Sequence, residues 1–192
     1  MARAPGSGRE PERVQALFET ARHTRGFMPD DEGDALYRAA LRAGQAEIPA
    51  DIETAVLSVV AQLVRPGDYD ALLERYRSAS TPQEEMRSLG ALAGFADVDL
   101  CLRTFDLALT EVRSQNGFVV ISALLANPVG NQAVWERVTE NWDTILDRFP
   151  KNAPPRILET LPALCGDADF AERAIVFLDE HPLTSGPRRV AQ

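Results

Sequence analysis

The side chains that most often carry chemistry are sparse and scattered in this chain. Only two histidines occur, His23 in HTRGF and His181 in HPLTS. A zinc peptidase sets two imidazoles one helical turn apart with a carboxylate between them, so that both ligands and the base share a face. Neither histidine has a second one nearby, so a histidine-based metal site from this chain alone is not expected, and both rings are read as surface groups. No GxxxxGK[ST] loop cradles phosphates, no GxGxxG follows a strand, and no CxxC offers metal or redox chemistry. The carboxylate pairs Asp30-Asp31 and Glu84-Glu85 stand at helix starts, where negative charge favours the N-terminal dipole. Cys101 and Cys165 fall in helix-like apolar patterns, as buried thiols of a reduced, cytoplasmic chain would. What remains is a polar knot, Arg113-Ser114-Gln115-Asn116, at the head of VRSQNGFVVISALLANPVGNQAVWERVTENW.

The elements around that knot read as helices. Ile52, Val56, Val59 and Leu63 recur at helical spacing between Pro49 and Pro66-Gly67, and Tyr69, Leu72, Leu73 and Tyr76 carry the next segment. Thr81-Pro82-Gln83-Glu84 is a capping box with proline at the first helical position. Met86, Leu89, Leu92 and Ala93 follow on one face, and Phe95-Ala96-Asp97 turns the chain into a partner bearing Leu102, Phe105 and Leu109. Trp135, Val138, Trp142, Ile145 and Phe149, spaced three, four, three and four, predict one long helix with a core stripe. Ile157, Leu158 and Leu161 pair with Phe170, Ala174, Phe177 and Leu178 across Cys165-Gly166-Asp167. Earlier, Val14 to Ala21 and Leu36 to Leu41 mark two more helices. Pairs begin near residues 49, 82, 115 and 153, a spacing typical of helical-hairpin solenoids. The expected fold is all-α, a HEAT- or armadillo-like α-solenoid of antiparallel hairpins with about nine or ten helices.

At 192 residues the chain holds one ordinary domain or one repeat array. We expect a flexible leader over 1–9, a helical repeat domain over 10–182 and a tail over 183–192. A formal charge of −9, with basic residues dispersed among acidic ones, gives nucleic acid no obvious surface. No apolar stretch approaches the roughly 20 residues a membrane helix needs.

The order TPQEEMRSLGALAGF, LALTEVRSQNGF, LLANPVGNQAVWERVTENWDTILDRFP resembles the C-terminal helical domain of the zinc aminopeptidase N family, the endoplasmic-reticulum-aminopeptidase-like domain, over about Ile48 to Pro182. The resemblance implies a bowl of helical hairpins that closes over a catalytic domain and helps form the chamber holding a peptide substrate. Zinc, its HExxH ligands and the GAMEN-type loop then belong to an upstream domain of the parent aminopeptidase, and this chain is a non-catalytic lid. Family members extend further at both ends, so the chain reads as a fragment with a tendency to self-associate. Polar groups at joints of the concave face are the substrate-binding candidates, since helix bodies are committed to packing. Arg113, Gln115 and Asn116 come first, then Asn127 and Arg156. Each has an alternative as a cap or strut. For Arg113 the expectation is that its guanidinium pairs with a peptide carboxylate. The competing reading is a stand-alone solenoid scaffold that binds a protein or peptide in its groove; a third is an enzyme in its own right.

Overall fold

The computed structural model describes residues 50–161 and 168–182. Within them the chain is helical, with no strand: α1 (Ala50–Leu63), α2 (Asp68–Arg77), α3 (Pro82–Ala93), α4 (Val98–Thr110), α5 (Ser114–Leu125), α6 (Asn131–Glu140), α7 (Trp142–Arg148), α8 (Ala153–Leu158) and α9 (Ala168–Glu180). The segments expected before residue 50, His23, Asp30-Asp31 and the Cys165 joint lie outside the described residues.

Local signals set the ends. Thr81 caps α3 by accepting from the Glu84 N–H, while Glu84 reaches back to the Thr81 N–H, which closes the capping box. Asp97 accepts from the Leu100 N–H at the start of α4. Gly67 precedes α2 with φ 88°, a left-handed conformation that favours glycine.

The helices pack as two rows. The leading helices of successive pairs, α1, α3, α5 and α8, contact one another in turn. The returning helices are joined by side chains: Tyr69 Oη lies 3.0 Å from Thr104 Oγ1 between α2 and α4, and Trp135 of α6 meets Phe170 and Phe177 of α9 edge to face. On the outer surface Arg103 pairs with Asp70, and one pair further on Arg137 pairs with Asp106, both at 2.8 Å. These partners sit 33 and 31 residues apart, close to the hairpin spacing read from the sequence, so each joins corresponding places in consecutive pairs.

Two stripes differ from expectation. In the second half of α1, Leu57, Val60 and Ala61 are buried while Val59 and Leu63 of the predicted face are only half-buried; the side chains of Ile52 and Val56 lie outside the described ones. The long tryptophan helix is broken. At Asn141 the backbone departs to φ −110°, ψ 20°, and the Asn141 amide donates to the Arg137 carbonyl, separating α6 from α7. Hydrogen bonds from Asn141 N–H to Arg137 and from Ile145 N–H to Asn141 persist across the break. The stripe therefore keeps its phase, and Trp135, Val138, Trp142, Ile145 and Phe149 are all buried. Phe177 lies edge-on against both indoles, at 5.3 and 5.4 Å. His181, expected at the surface, is half-buried: its ring stacks on Phe177 at 4.2 Å and its Nδ1 contacts the Phe177 carbonyl.

Candidate functional site

The polar knot occupies the α4–α5 joint. Val112 is buried and its N–H returns to the Leu107 carbonyl, so the chain leaves α4 tightly, and Arg113 enters α5 as its N-cap without a side-chain cap bond. Close helix approach holds α5 here. A Cβ on Gly117 would lie 2.7 Å from the Ala108 carbonyl oxygen and 2.8 Å from Phe149 Cε1, so only glycine fits between α4 and the α7–α8 joint. Phe149 in turn packs edge to face on Phe118.

Around the joint is an open polar depression of about 240 Å³ lined by Tyr76, Arg77, Ala79, Glu85, Glu111 and Arg113. Arg77 grips Glu111 with two parallel hydrogen bonds of 2.9 Å, which hold the Glu111 carboxyl below its ordinary range. Burial, reinforced by the nearby Glu85 and Glu111 carboxylates, pushes the Tyr76 hydroxyl upward, so it stays a neutral donor at physiological pH. Glu85 stands at the base. Its side chain is 10% exposed, with Arg113 Nη2 3.3 Å from one carboxylate oxygen and Asn116 Nδ2 3.4 Å from the other.

Arg113 itself is 65% exposed and holds that single ion pair. Its guanidinium therefore has donors facing solvent at the rim of the depression. Gln115 is exposed on the same turn, and Asn116 is half-buried against Glu85. Asn127 is elsewhere and fully engaged: its amide donates to the carbonyls of Ala93 and Phe95, and its oxygen accepts from the Val129 N–H. It is a strut between the α3–α4 and α5–α6 joints. Arg156 is exposed on α8, which packs on α5. The structure thus gathers Arg113 and Asn116 on Glu85, and leaves Asn127 apart.

Two residues of this joint were missed by the sequence reading. Glu85 was assigned to the helix dipole, yet it lies four and seven residues before buried Leu89 and Leu92, on the apolar face of α3. A carboxylate on that stripe is the signal that it has a partner. Arg148 was not considered; its Nη2 donates to the Val112 carbonyl at 2.8 Å, and its buried Nε has no hydrogen-bond partner. No pattern in the sequence marks that contact.

Among the described residues no group of three His, Cys, Asp or Glu side chains is placed to hold a metal ion. No described helix is long and apolar enough to cross a membrane. Cys101 is buried, its thiol donates to the Phe95 carbonyl, and burial pushes its pKa up to about 11.

Comparison with known proteins places this geometry in context. The model of the ERAP1-like C-terminal domain family matches residues 12–192. Aminopeptidase M1-D of Oryza sativa subsp. japonica is 33% identical over 111 residues, covering 55% of this chain and 12% of that protein. Endoplasmic reticulum aminopeptidase 2 of Homo sapiens is 30% identical over 109 residues, 56% of this chain and 11% of the relative. Glutamyl aminopeptidase of Mus musculus is 29% identical over 112 residues, 57% and 12% respectively. The chain thus matches only a small fraction of the length of these relatives.

Proposed function

As the chain belongs to the ERAP1-like C-terminal domain family, we propose that it is a non-catalytic portion of a zinc-dependent aminopeptidase, closing the chamber in which a peptide lies. In this reading the two helix rows form a HEAT-like solenoid whose concave side carries the α4–α5 joint. Arg113 there presents its guanidinium to the peptide's C-terminal carboxylate, with Gln115 and Asn116 beside it and Arg156 on the neighbouring helix. The catalytic domain of the parent enzyme holds the zinc and cleaves the N-terminal residue. The buried, protonated Cys101 thiol suits a reducing, cytoplasmic setting.

The observation that carries this reading is the family match over residues 12–192, together with relatives whose names are those of aminopeptidases. A sequence with only two histidines and no HExxH supports a supporting role rather than a catalytic one. Supplied with zinc, the chain alone should not turn over alanyl-p-nitroanilide. Joined to its catalytic segment, it should be required for efficient cleavage of long peptides. Turnover by the chain alone, or undiminished peptide cleavage without it, would contradict the proposal.

A further inference from the structure

We infer that Asn116-Gly117 is a conformationally gated deamidation site, converted to aspartate and isoaspartate when the first turn of α5 opens, and that the isoaspartyl product cannot rebuild the α4–α5 joint. This modification is independent of what Arg113 binds.

Five asparagines occur in the sequence, and Asn116 alone precedes a glycine; the others precede Pro128, Gln132, Trp142 and Ala153. Deamidation begins when the backbone nitrogen of the next residue attacks the asparagine Cγ, and a side chain on that residue obstructs the approach. Here the Gly117 nitrogen would give up its proton to solvent and bond to Asn116 Cγ, while the amide nitrogen leaves as ammonia. A succinimide ring results. Water then opens it at either carbonyl, so a side-chain amide is exchanged for a carboxylate and position 116 becomes Asp or isoaspartate.

The folded joint blocks the first step. The Gly117 N–H donates to the Arg113 carbonyl at 2.8 Å in the opening turn of α5, and Asn116 Nδ2 lies 3.4 Å from Glu85 Oε1. Nucleophile and amide are thus held on separate partners, and ring closure requires the turn to unwind. Glycine is nonetheless required here, because a Cβ would meet the Ala108 carbonyl oxygen at 2.7 Å and Phe149 Cε1 at 2.8 Å. The packing that demands glycine therefore builds the asparagine most open to cyclisation into the joint. The same packing rejects isoaspartate. That product inserts an extra carbon in the main chain before Gly117, which has no slack between α4 and Phe149, and adds a negative charge beside the nearly buried Glu85.

The whole chain is incubated in mildly alkaline buffer with and without guanidinium chloride, and the tryptic peptide Ser114–Arg137 is followed by fragment mass spectrometry. Deamidation at residue 116 should be at least about ten-fold slower in buffer than in denaturant, and Glu85→Ala, which loosens the joint, should narrow that gap. In denaturant, where folding plays no part, Gly117→Ala should slow the reaction several-fold. Chain aged in denaturant and then refolded should contain an isoaspartyl fraction that unfolds at lower urea than fresh chain, and Asn116→Gln treated alike should contain none. Equal rates in buffer and denaturant, or a gap that Glu85→Ala leaves unchanged, overturn the gating. An unslowed Gly117→Ala overturns the site, and an isoaspartyl fraction with an unchanged urea midpoint overturns its effect on the joint.

Discussion

Gly117→Ala and Gly90→Ala make the same chemical change in neighbouring helices and should move stability in opposite directions. Gly90 is exposed in the interior of α3, and a Cβ there meets nothing within 4 Å. Alanine should therefore stabilise by about 0.5–1 kcal/mol, through helix propensity and a less flexible unfolded chain. At Gly117 the added Cβ falls 2.7 Å from the Ala108 carbonyl oxygen, 0.7 Å inside the 3.4 Å at which ordinary contact begins. That oxygen belongs to the backbone of α4 and has no rotamer to yield. Phe149, buried and packed on Phe118, blocks the other side. With one clash against backbone and another against a buried ring, the cost falls in the upper part of the overpacking range, about 2–3 kcal/mol; less the roughly 1 kcal/mol that propensity returns, Gly117→Ala should destabilise by about 1–2 kcal/mol. With a urea slope of about 2 kcal/mol/M, its midpoint falls by roughly 0.5–1 M while that of Gly90→Ala rises. A neutral or stabilising Gly117→Ala would refute the close packing of α5 against α4 that positions Arg113.

Trp142→Ala should cost about 3–5 kcal/mol in urea unfolding, because it empties a buried aromatic site and uncovers Phe177. Glu85→Ala should cost about 1–2 kcal/mol, since it takes the shared acceptor from both half-buried Asn116 and Arg113, whereas Arg113→Ala, at 65% exposure and with Asn116 still on Glu85, should cost under about 1 kcal/mol; a reversed order would show that Glu85 does not anchor the joint. The Cys101 thiol titrates near 11 when folded against 9.0 for a free thiol, so its contribution is intact below pH 9 and is lost as pH rises through 11. Cys101→Ala should flatten that part of the alkaline stability profile, and the native thiol should resist Ellman's reagent until the chain unfolds. Ile175 and Val176 of α9 are 60% and 51% exposed. Sedimentation at rising concentration should reveal self-association that Ile175→Lys weakens, and a monomer at all concentrations would refute it.

Much of the fold was legible because helices announce their ends and faces locally. The capping box at Thr81 and the stripe from Trp135 to Phe149 needed only spacing. The break at Asn141 escaped because the hydrophobic phase runs through it unchanged: a side-chain amide that takes the Arg137 carbonyl leaves no gap in the pattern. In the second half of α1 burial centres on Leu57, Val60 and Ala61 rather than on Val59 and Leu63, because nearly every position from Ala55 to Val60 is apolar and periodicity then has little contrast. Arg113 stood out as a charge in a joint. The groups that hold the joint did not, because Glu85 reaches Arg113 and Arg148 reaches the Val112 carbonyl from other hairpins, and such contacts emerge only when the rows are assembled.

The central claim is that Arg113 faces the end of a peptide held by a catalytic domain. The parent aminopeptidase, with and without Arg113→Ala, should be assayed on a peptide and its C-terminal amide. The free acid should show the higher kcat/KM, with the preference abolished by the substitution and the amide rate unchanged. Equal losses on acid and amide, or an undiminished preference, would contradict it.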